Sequence, residues 1–279
     1  MYKGRFAPSP TGPLHFGSLI AALASYLDAR CHTGIWQVRL DDIDPPRHDP
    51  SSFESIPNCL EQHGLYWDNG IIRQSNRREA HESYIQSLRA KGRIFVCQCT
   101  RATLGSLGQC ESDCKDHQYE EGSLRLTLAS ETMNGFDDLV LGRQAITDVP
   151  ENFIVKRRDG LIAYQLATAV DDIDEGYTHV IRGSDLLDST FKQAAIHAEL
   201  GKASPRYGHL PLATDPQGNK LSKQSGAPAI DATKPVENLR LALAFLNQIK
   251  PVPACKTPSE VLLFAIEHWD LTQTNLFKM

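Results

Sequence analysis

Arg5-Phe6-Ala7-Pro8-Ser9-Pro10-Thr11-Gly12-Pro13-Leu14-His15-Phe16-Gly17-Ser18 is a stretch in which one structural element ends and another begins. Arg5 to Ala7 reads as a short strand. Pro8, Pro10, Gly12 and Pro13 stop it, because closely spaced prolines can neither continue a ladder nor sit inside a helix. From Gly17 the run Ser18 to Leu27 is rich in good helix formers and apolar nearly all round, as expected of a helix buried against a sheet. Ile35 to Leu40 reads as the next strand. Strand, helix, strand is the seed of a parallel, doubly wound α/β sheet. The same stretch sets a histidine and a glycine at the mouth of the helix, where free N–H groups and the helix dipole favour an anion such as phosphate. Gly17, with no Cβ, lets a base or phosphate approach the backbone closely. A capped, tightly packed helix start accounts for these residues equally well.

Outward from this unit, helices are predicted at Ser52 to His63 and Arg77 to Ala90. From Ile94 to about Asp148 the chain changes to short apolar runs, cysteines and turn residues, which reads as an inserted α+β module. Phe153 to Arg157 and Leu161 to Ala167, joined at Asp159-Gly160, read as a hairpin. A buried strand at Tyr177 to Ile181 and a helix at Leu186 to Leu200 resume the parallel sheet, and helices at Val236 to Ile249 and Ser259 to Trp269 close the chain. The expected division is a first half of the sheet domain over 1–93, the insertion over 94–176, the second half over 177–230 and a helical tail over 231–279.

A chain of 279 residues has room for roughly two packed units. Its 41% hydrophobic and 23% charged residues are those of a globular protein. No apolar run reaches the ~18 residues of a membrane span and no signal segment follows Met1, so a cytoplasmic protein without a membrane partner is expected. A net charge of −5 excludes the broad basic face of a general DNA or RNA binder, so DNA is not expected as a partner and any RNA contact must be local. The basic clusters at Arg73, Arg77, Arg78, at Arg89, Lys91, Arg93 and at Lys156, Arg157, Arg158 are more simply solvated faces. A monomer is the default.

Seven cysteines is an odd count that argues against a disulfide framework. Cys97, Cys99, Cys110 and Cys114 form the pattern C-x-C-x10-C-x3-C, in which four thiolates from one segment can close a tetrahedral structural Zn²⁺ site with no open position. Scattered core or redox thiols are the alternative. Cys31, Cys59 and Cys255 lie in apolar helical patterns and read as packing. Further on, Thr214 to Gly226 is a polar, turn-rich loop whose Lys220 and Lys223 could close over a triphosphate, although exposed lysine loops are common.

Together these segments resemble the class I aminoacyl-tRNA synthetases. His15-Phe16-Gly17-Ser18 matches the family's HIGH element and Lys220-Leu221-Ser222-Lys223-Gln224 its KMSKS element, while Phe6 to Gly12 and Ile181-Arg182-Gly183-Ser184-Asp185-Leu186-Leu187 resemble the glutamyl branch. The resemblance covers residues 1 to about 230 in the family's order. It implies a Rossmann-type catalytic domain, split by an insertion, that condenses L-glutamate with ATP and Mg²⁺ to glutamyl-adenylate. By motif position, Pro8, His15, Gly17, Ser18, Leu221, Ser222 and Lys223 contact ATP, with His15, Gly17, Lys220 and Lys223 carrying catalysis. Arg5 and Arg182 suit the two carboxylates of glutamate, Asp41 its ammonium group, and Ser9 and Tyr164 further contacts, with Tyr164 in the second strand of the hairpin. The branch usually reads Arg-x-Glu-Asp where this chain has Arg39-Leu40-Asp41-Asp42, so Asp41 is one methylene short. In relatives a tyrosine often occupies the place of Cys110; His117 and Tyr119 are reserve ligands if Cys110 points away.

Only about fifty residues follow Lys223, too few for anticodon-reading domains. This shortness resembles a paralogue within the branch that activates glutamate without tRNA and transfers it to the queuosine base in the anticodon loop of tRNA(Asp). A minimal synthetase charging a tRNA 3′ end and a non-enzymatic nucleotide- or amino-acid-binding relative are the alternatives; His15, Gly17, Lys220 and Lys223 argue against the last.

Overall fold

The computed structural model describes residues 1–105, 107–128, 135–145, 150–213, 228–250 and 254–274. Strand β1 (Lys3–Phe6) leads through the proline-rich loop into helix α1 (Phe16–Cys31), and β2 (Ile35–Leu40) returns parallel to β1. The helix forms where Leu, Ile and Ala replace the prolines, and it buries Leu19, Leu23 and Leu27 together with Ala22 and Ala24. Helix α2 (Ser52–Gln62) precedes the two-residue strand β3 (Ile72–Arg73), which pairs parallel to β2. Helix α3 (Arg78–Ala90) follows.

The next segment is antiparallel. Strands β4 (Ile94–Cys97), β5 (Ser123–Thr127) and β8 (Asn152–Lys156) form one sheet in that order, and β6 (Gly135–Asp138) with β7 (Gly142–Ala145) a separate hairpin. The turn expected at Asp159-Gly160 exists, with Gly160 at φ 87° and Arg157 N–H donating to Leu161 O at 2.8 Å. The strand expected beyond it does not: after a single bridge between Lys156 and Ile162, the chain enters helix α4 (Tyr164–Asp174). Leu166, Ala167 and Val170 are the reason, since their i, i+1, i+4 spacing makes one apolar helical face, and it packs with Ile85, Leu88, Val155 and Ile196 into a second core.

Strand β9 (His179–Gly183), helix α5 (Leu187–Leu200) and β10 (Arg206–Leu210) make another parallel unit. It joins the first where Thr178 N–H donates to Lys3 O at 2.9 Å, so that β1 runs beside β9 as well as β2. β10 had no counterpart in the sequence reading. The tail supplies α6 (Pro235–Phe245) and α7 (Pro258–Glu267), which pack on α1; α6 ends four residues short of the expected Ile249. Among the described residues no helix is long and apolar enough to cross a membrane.

Leu23, fully buried in the principal core, should be far more sensitive to truncation than Leu241, which is 54% exposed on α6. Leu23→Ala is expected to lower the unfolding free energy by about 2–5 kcal/mol in urea titrations, and Leu241→Ala by less than about 0.5 kcal/mol.

Candidate active site

A cavity of about 350 Å³ opens where the C-terminal ends of β1, β9 and β10 meet the start of α1. Strand order reverses at β1, which has β2 on one side and β9 on the other, and crevices at such points are where open α/β sheets take ligands. Its walls include Arg5, Pro8, Ser9, His15, Gly17, Ser18, Tyr164 and Arg182, so eight of the residues singled out from sequence share one space. Arg47 and Asp185 join them; Asp185 belongs to the Ile181 to Leu187 motif without having been given a role, and nothing in the sequence pattern marked Arg47.

His15 is the N-cap of α1: its Nδ1 accepts from Ser18 N–H at 3.3 Å, leaving the ring proton on Nε2. No acidic residue occupies the first turn of α1 to oppose an anion there. Arg182 extends from β9 and is almost fully buried. Its Nη2 donates to Thr190 Oγ1 at 2.7 Å and its Nε to His209 Nε2 at 3.3 Å, yet Nη1 has no partner among the described residues. A buried guanidinium nitrogen left unpaired costs about 1–3 kcal/mol, a cost that an anionic occupant of the cavity removes.

Arg5 is held differently. Its Nε and Nη2 donate to the two oxygens of Asp172 on α4, both at 2.7 Å, and Arg39 Nη1 reaches the same carboxylate at 2.8 Å. Burial opposes ionisation of Asp172, but the two guanidinium groups outweigh it and bring its pKa down to about 2. Asp172 was missed from sequence. The available signal was two consecutive acids, Asp171-Asp172, following Ala169 and Val170 on the buried side of a helix, since buried acids require cations.

Asp41, expected at the ammonium group of glutamate, is placed apart from the cavity lining. Its Oδ1 accepts from Arg39 Nε at 2.7 Å, and the carboxylate is buried in that pair. With a side chain one methylene shorter than glutamate and its N–H tied to Pro8 O at 3.0 Å, the carboxylate stays on Arg39 beneath the loop. Tyr164 does line the cavity, from the first turn of α4 and not from a strand. Lys220, Leu221, Ser222 and Lys223 lie outside the described residues. The residues flanking them are described: Ala213 is in the cavity wall and Ala229 bridges to His15.

The four cysteines converge apart from this cavity, their sulfurs all within 4.8 Å of one another. Cys99 Sγ is 3.6 Å from Cys110 Sγ and 3.7 Å from Cys114 Sγ. A Zn–S length of about 2.3 Å in a tetrahedron requires sulfurs about 3.8 Å apart, so the donor set fits such an ion. Cys110 points inward, and Asn152 of β8 fixes its backbone, accepting from its N–H at 2.9 Å and donating to its carbonyl at 3.0 Å. Burial pushes the Cys97 thiol up to about 12, whereas for Cys114 the Ser112 hydroxyl and neighbouring thiols overcome burial and bring it to about 6. Of the remaining cysteines, Cys59 is buried and Cys31 and Cys255 are half-buried.

Residues 2–250 match the family of class I tRNA synthetases for E and Q, catalytic domain. The glutamyl-Q tRNA(Asp) synthetase of Vibrio vulnificus is 42% identical over 276 residues, covering 98% of this chain and 91% of that protein. The protein of the same description from Salmonella typhimurium is 44% identical over 279 residues, covering 97% and 93%. Among solved structures, glutamate-tRNA synthetase from Elizabethkingia anophelis has the same fold, with TM-score 0.80 at 24% identity. The glutamate tRNA ligase of Elizabethkingia meningosepticum, solved in complex with its amino acid, gives TM-score 0.77 at 25% identity. This chain is covered to 98% in both cases but spans 66% of each of those longer chains.

The Asp172 carboxylate carries a pH dependence whose sign is fixed by its depressed pKa. Its contribution to stability is complete above the ordinary value of 3.8 and is lost as pH falls through about 2. Urea midpoints measured from pH 6 to pH 2 should therefore drop at the acid end, and Asp172→Asn should remove part of that slope. The variant should also be less stable at neutral pH by about 3–5 kcal/mol, because Arg5 and Arg39 are left buried without their shared counter-charge.

Proposed function

The chain belongs to the class I tRNA synthetases for glutamate and glutamine, and from that premise we propose that the cavity is its glutamate and ATP site and that its acceptor is queuosine in tRNA(Asp). The chain is a ligase that activates L-glutamate with ATP and transfers it to tRNA(Asp). The single observation that carries the site assignment is Arg182: a buried cation in the wall of a cavity with one guanidinium nitrogen unpaired, beside Arg5 and the anion-attracting start of α1. Two carboxylates and a polyphosphate are what such a lining fits.

In the first step an oxygen of the glutamate α-carboxylate attacks the α-phosphorus of ATP, and the bond from that phosphorus to the bridging oxygen of pyrophosphate breaks. The nucleophile is already ionised, so no side chain need take a proton; the work is alignment and stabilisation of charge on the leaving pyrophosphate. His15, through its Nε2–H, and the N-terminus of α1 address the phosphates, with Lys220 and Lys223 assigned to the same task by motif position. Mg²⁺ enters with ATP as part of the substrate and neutralises phosphate charge. Arg182 and Arg5 hold glutamate, with Ser9 and Tyr164 at its flanks. In the second step a hydroxyl of queuosine's cyclopentenediol attacks the carbonyl carbon of the adenylate, releasing AMP and one proton.

Cys97, Cys99, Cys110 and Cys114 hold one Zn²⁺ as a cross-link between β4 and the loop before β5. A closed four-thiolate shell has no position for water and therefore stabilises without acting in the chemistry. The divisions at 94, 177 and 231 belong to the same reading: a split Rossmann-type domain, a metal-bearing insertion and a helical tail.

Glutamate-dependent exchange of pyrophosphate into ATP should proceed without any tRNA. Labelled glutamate should then appear on queuosine-containing tRNA(Asp) trimmed of its 3′-terminal adenosine. Label on intact tRNA but none on the trimmed form would transfer the assignment to 3′-end charging. The metal reading predicts about one zinc per chain by elemental analysis, and a lowered thermal midpoint after chelation; an unchanged midpoint with zinc gone refutes a structural role.

A further inference from the structure

Asp138 closes the first strand of the β6–β7 hairpin and is buried against β10, far in sequence from the parallel sheet. Its Oδ1 accepts three backbone N–H groups, from Val140 and Leu141 at 2.9 Å and from His209 at 3.1 Å. Its Oδ2 lies 2.6 Å from His209 Nδ1. Leu139 N–H, donating to Tyr207 O at 2.8 Å, clamps the hairpin to β10. The rings of Phe136 and Tyr207 flank the imidazole.

The other side of the His209 ring faces donors. Arg182 Nε is 3.3 Å from His209 Nε2, and a guanidinium can only donate. Nε2 must therefore present its lone pair, which puts the ring proton on Nδ1, where Asp138 accepts it. Burial, opposed by Asp138, lowers the His209 pKa and keeps the ring neutral, as this arrangement requires. Thr190 completes the cradle: its Oγ1 accepts from Arg182 Nη2 at 2.7 Å and lies 2.9 Å from His209 Nε2. With Nε and Nη2 both committed, Nη1 is what remains of Arg182 for a ligand.

We propose that Asp138 and His209 are positioning residues for glutamate: Asp138 selects the His209 tautomer, and His209 holds the Arg182 guanidinium so that Nη1 is left for a substrate carboxylate. The hairpin inserted between the halves of the sheet thus sets substrate affinity without touching substrate. This rests on the reading of Arg182 as a glutamate contact, and the experiment separates the two.

The variant that tests it most directly is Asp138→Asn, which is isosteric and retains an oxygen for the three backbone N–H groups. Its amide nitrogen, if turned to His209, drives the ring proton to Nε2 and sets donor against donor at Arg182, the wrong-tautomer effect known from carboxylate–histidine pairs. In pyrophosphate exchange without tRNA, Asp138→Asn should raise the glutamate KM at least about tenfold, the scale of a lost hydrogen bond to a charged group, while the ATP KM moves less than about twofold. His209→Gln, whose carbonyl oxygen can stand at the Nε2 position, should stay within about threefold of the parent, whereas His209→Leu should match Asp138→Asn. If Asp138→Asn fails to fold, judged by its thermal midpoint, the two His209 variants decide alone.

Glutamate and ATP KM values rising together, or Gln and Leu at 209 behaving alike, would overturn the proposal. Arg182→Met is the reference. If it leaves the glutamate KM unchanged, the Arg182 assignment itself is wrong; if it raises that KM while Asp138→Asn and His209→Leu do not, only the positioning role fails.

Discussion

The carboxylate of Asp172 is the interaction on which the arrangement of this molecule depends. It is shared, fully buried, by Arg5 from β1 and Arg39 from β2, and it comes from α4, about 130 to 170 residues further along the chain. Such a group cannot be left half-made, since removing one partner strands a charge in a low-dielectric interior. The network therefore fixes the register between the parallel sheet and the helix that carries Tyr164. Its neighbour Asp171 faces the other way, accepting from Gln74 Nε2, Arg77 Nε and, in its donor tautomer, His81 Nε2, and so ties α4 to α3. Two adjacent acids on one helix anchor it on two sides, and the cavity is bounded by what they hold.

This division of labour separates the two arginines assigned to glutamate. Arg5 spends two of its nitrogens on Asp172, and its charge is largely matched by protein. Arg182 is held by neutral groups, Thr190 and a neutral His209, and among the described residues no carboxylate is hydrogen-bonded to it. A carboxylate placed against Arg182 gains a partner that is both desolvated and uncompensated, whereas a neutral amide there leaves the buried charge unmatched. In the proposed glutamate site, discrimination of this kind would come from what the protein withholds from Arg182 as much as from what the substrate supplies.

What could be read from sequence was whatever is local. The prolines after Arg5, the helix formers after Gly17 and the limits of β2 follow from propensity and periodicity, and the spacing of four cysteines marked their cluster because all lie within eighteen residues. What escaped was made by distant partners. Asp172, Asp138 and His209 act across separations of 167 and 71 residues; for Asp172 the buried helical face hints at a cation without saying which, and nothing beside Asp138 or His209 announces the other. The error at Tyr164 has another source: Leu161 and Ala163 continue the alternation of the hairpin, and only the spacing of Leu166, Ala167 and Val170 reveals the helix. Asp41 was placed by motif alignment, which records residue order but not that Arg39, two residues away, can claim a shortened acid.

The antiparallel segment between α3 and α4 then acquires a physical role. A segment that only hung from the sheet would need no buried charge, yet Asp138 sits within this one and reaches His209 on β10, while Asn152 at the start of β8 pins both Cys110 and Arg125. Asn152 links the cysteine cluster to β8, β8 packs with α4, and α4 begins at Tyr164 in the cavity wall. The Zn²⁺ cross-link proposed at the cysteines would restrict β4 and the loop before β5, hence β8, hence the start of α4. Rigidity imposed remotely is how a site made from several separated segments keeps its geometry when each segment alone is too short to hold its shape.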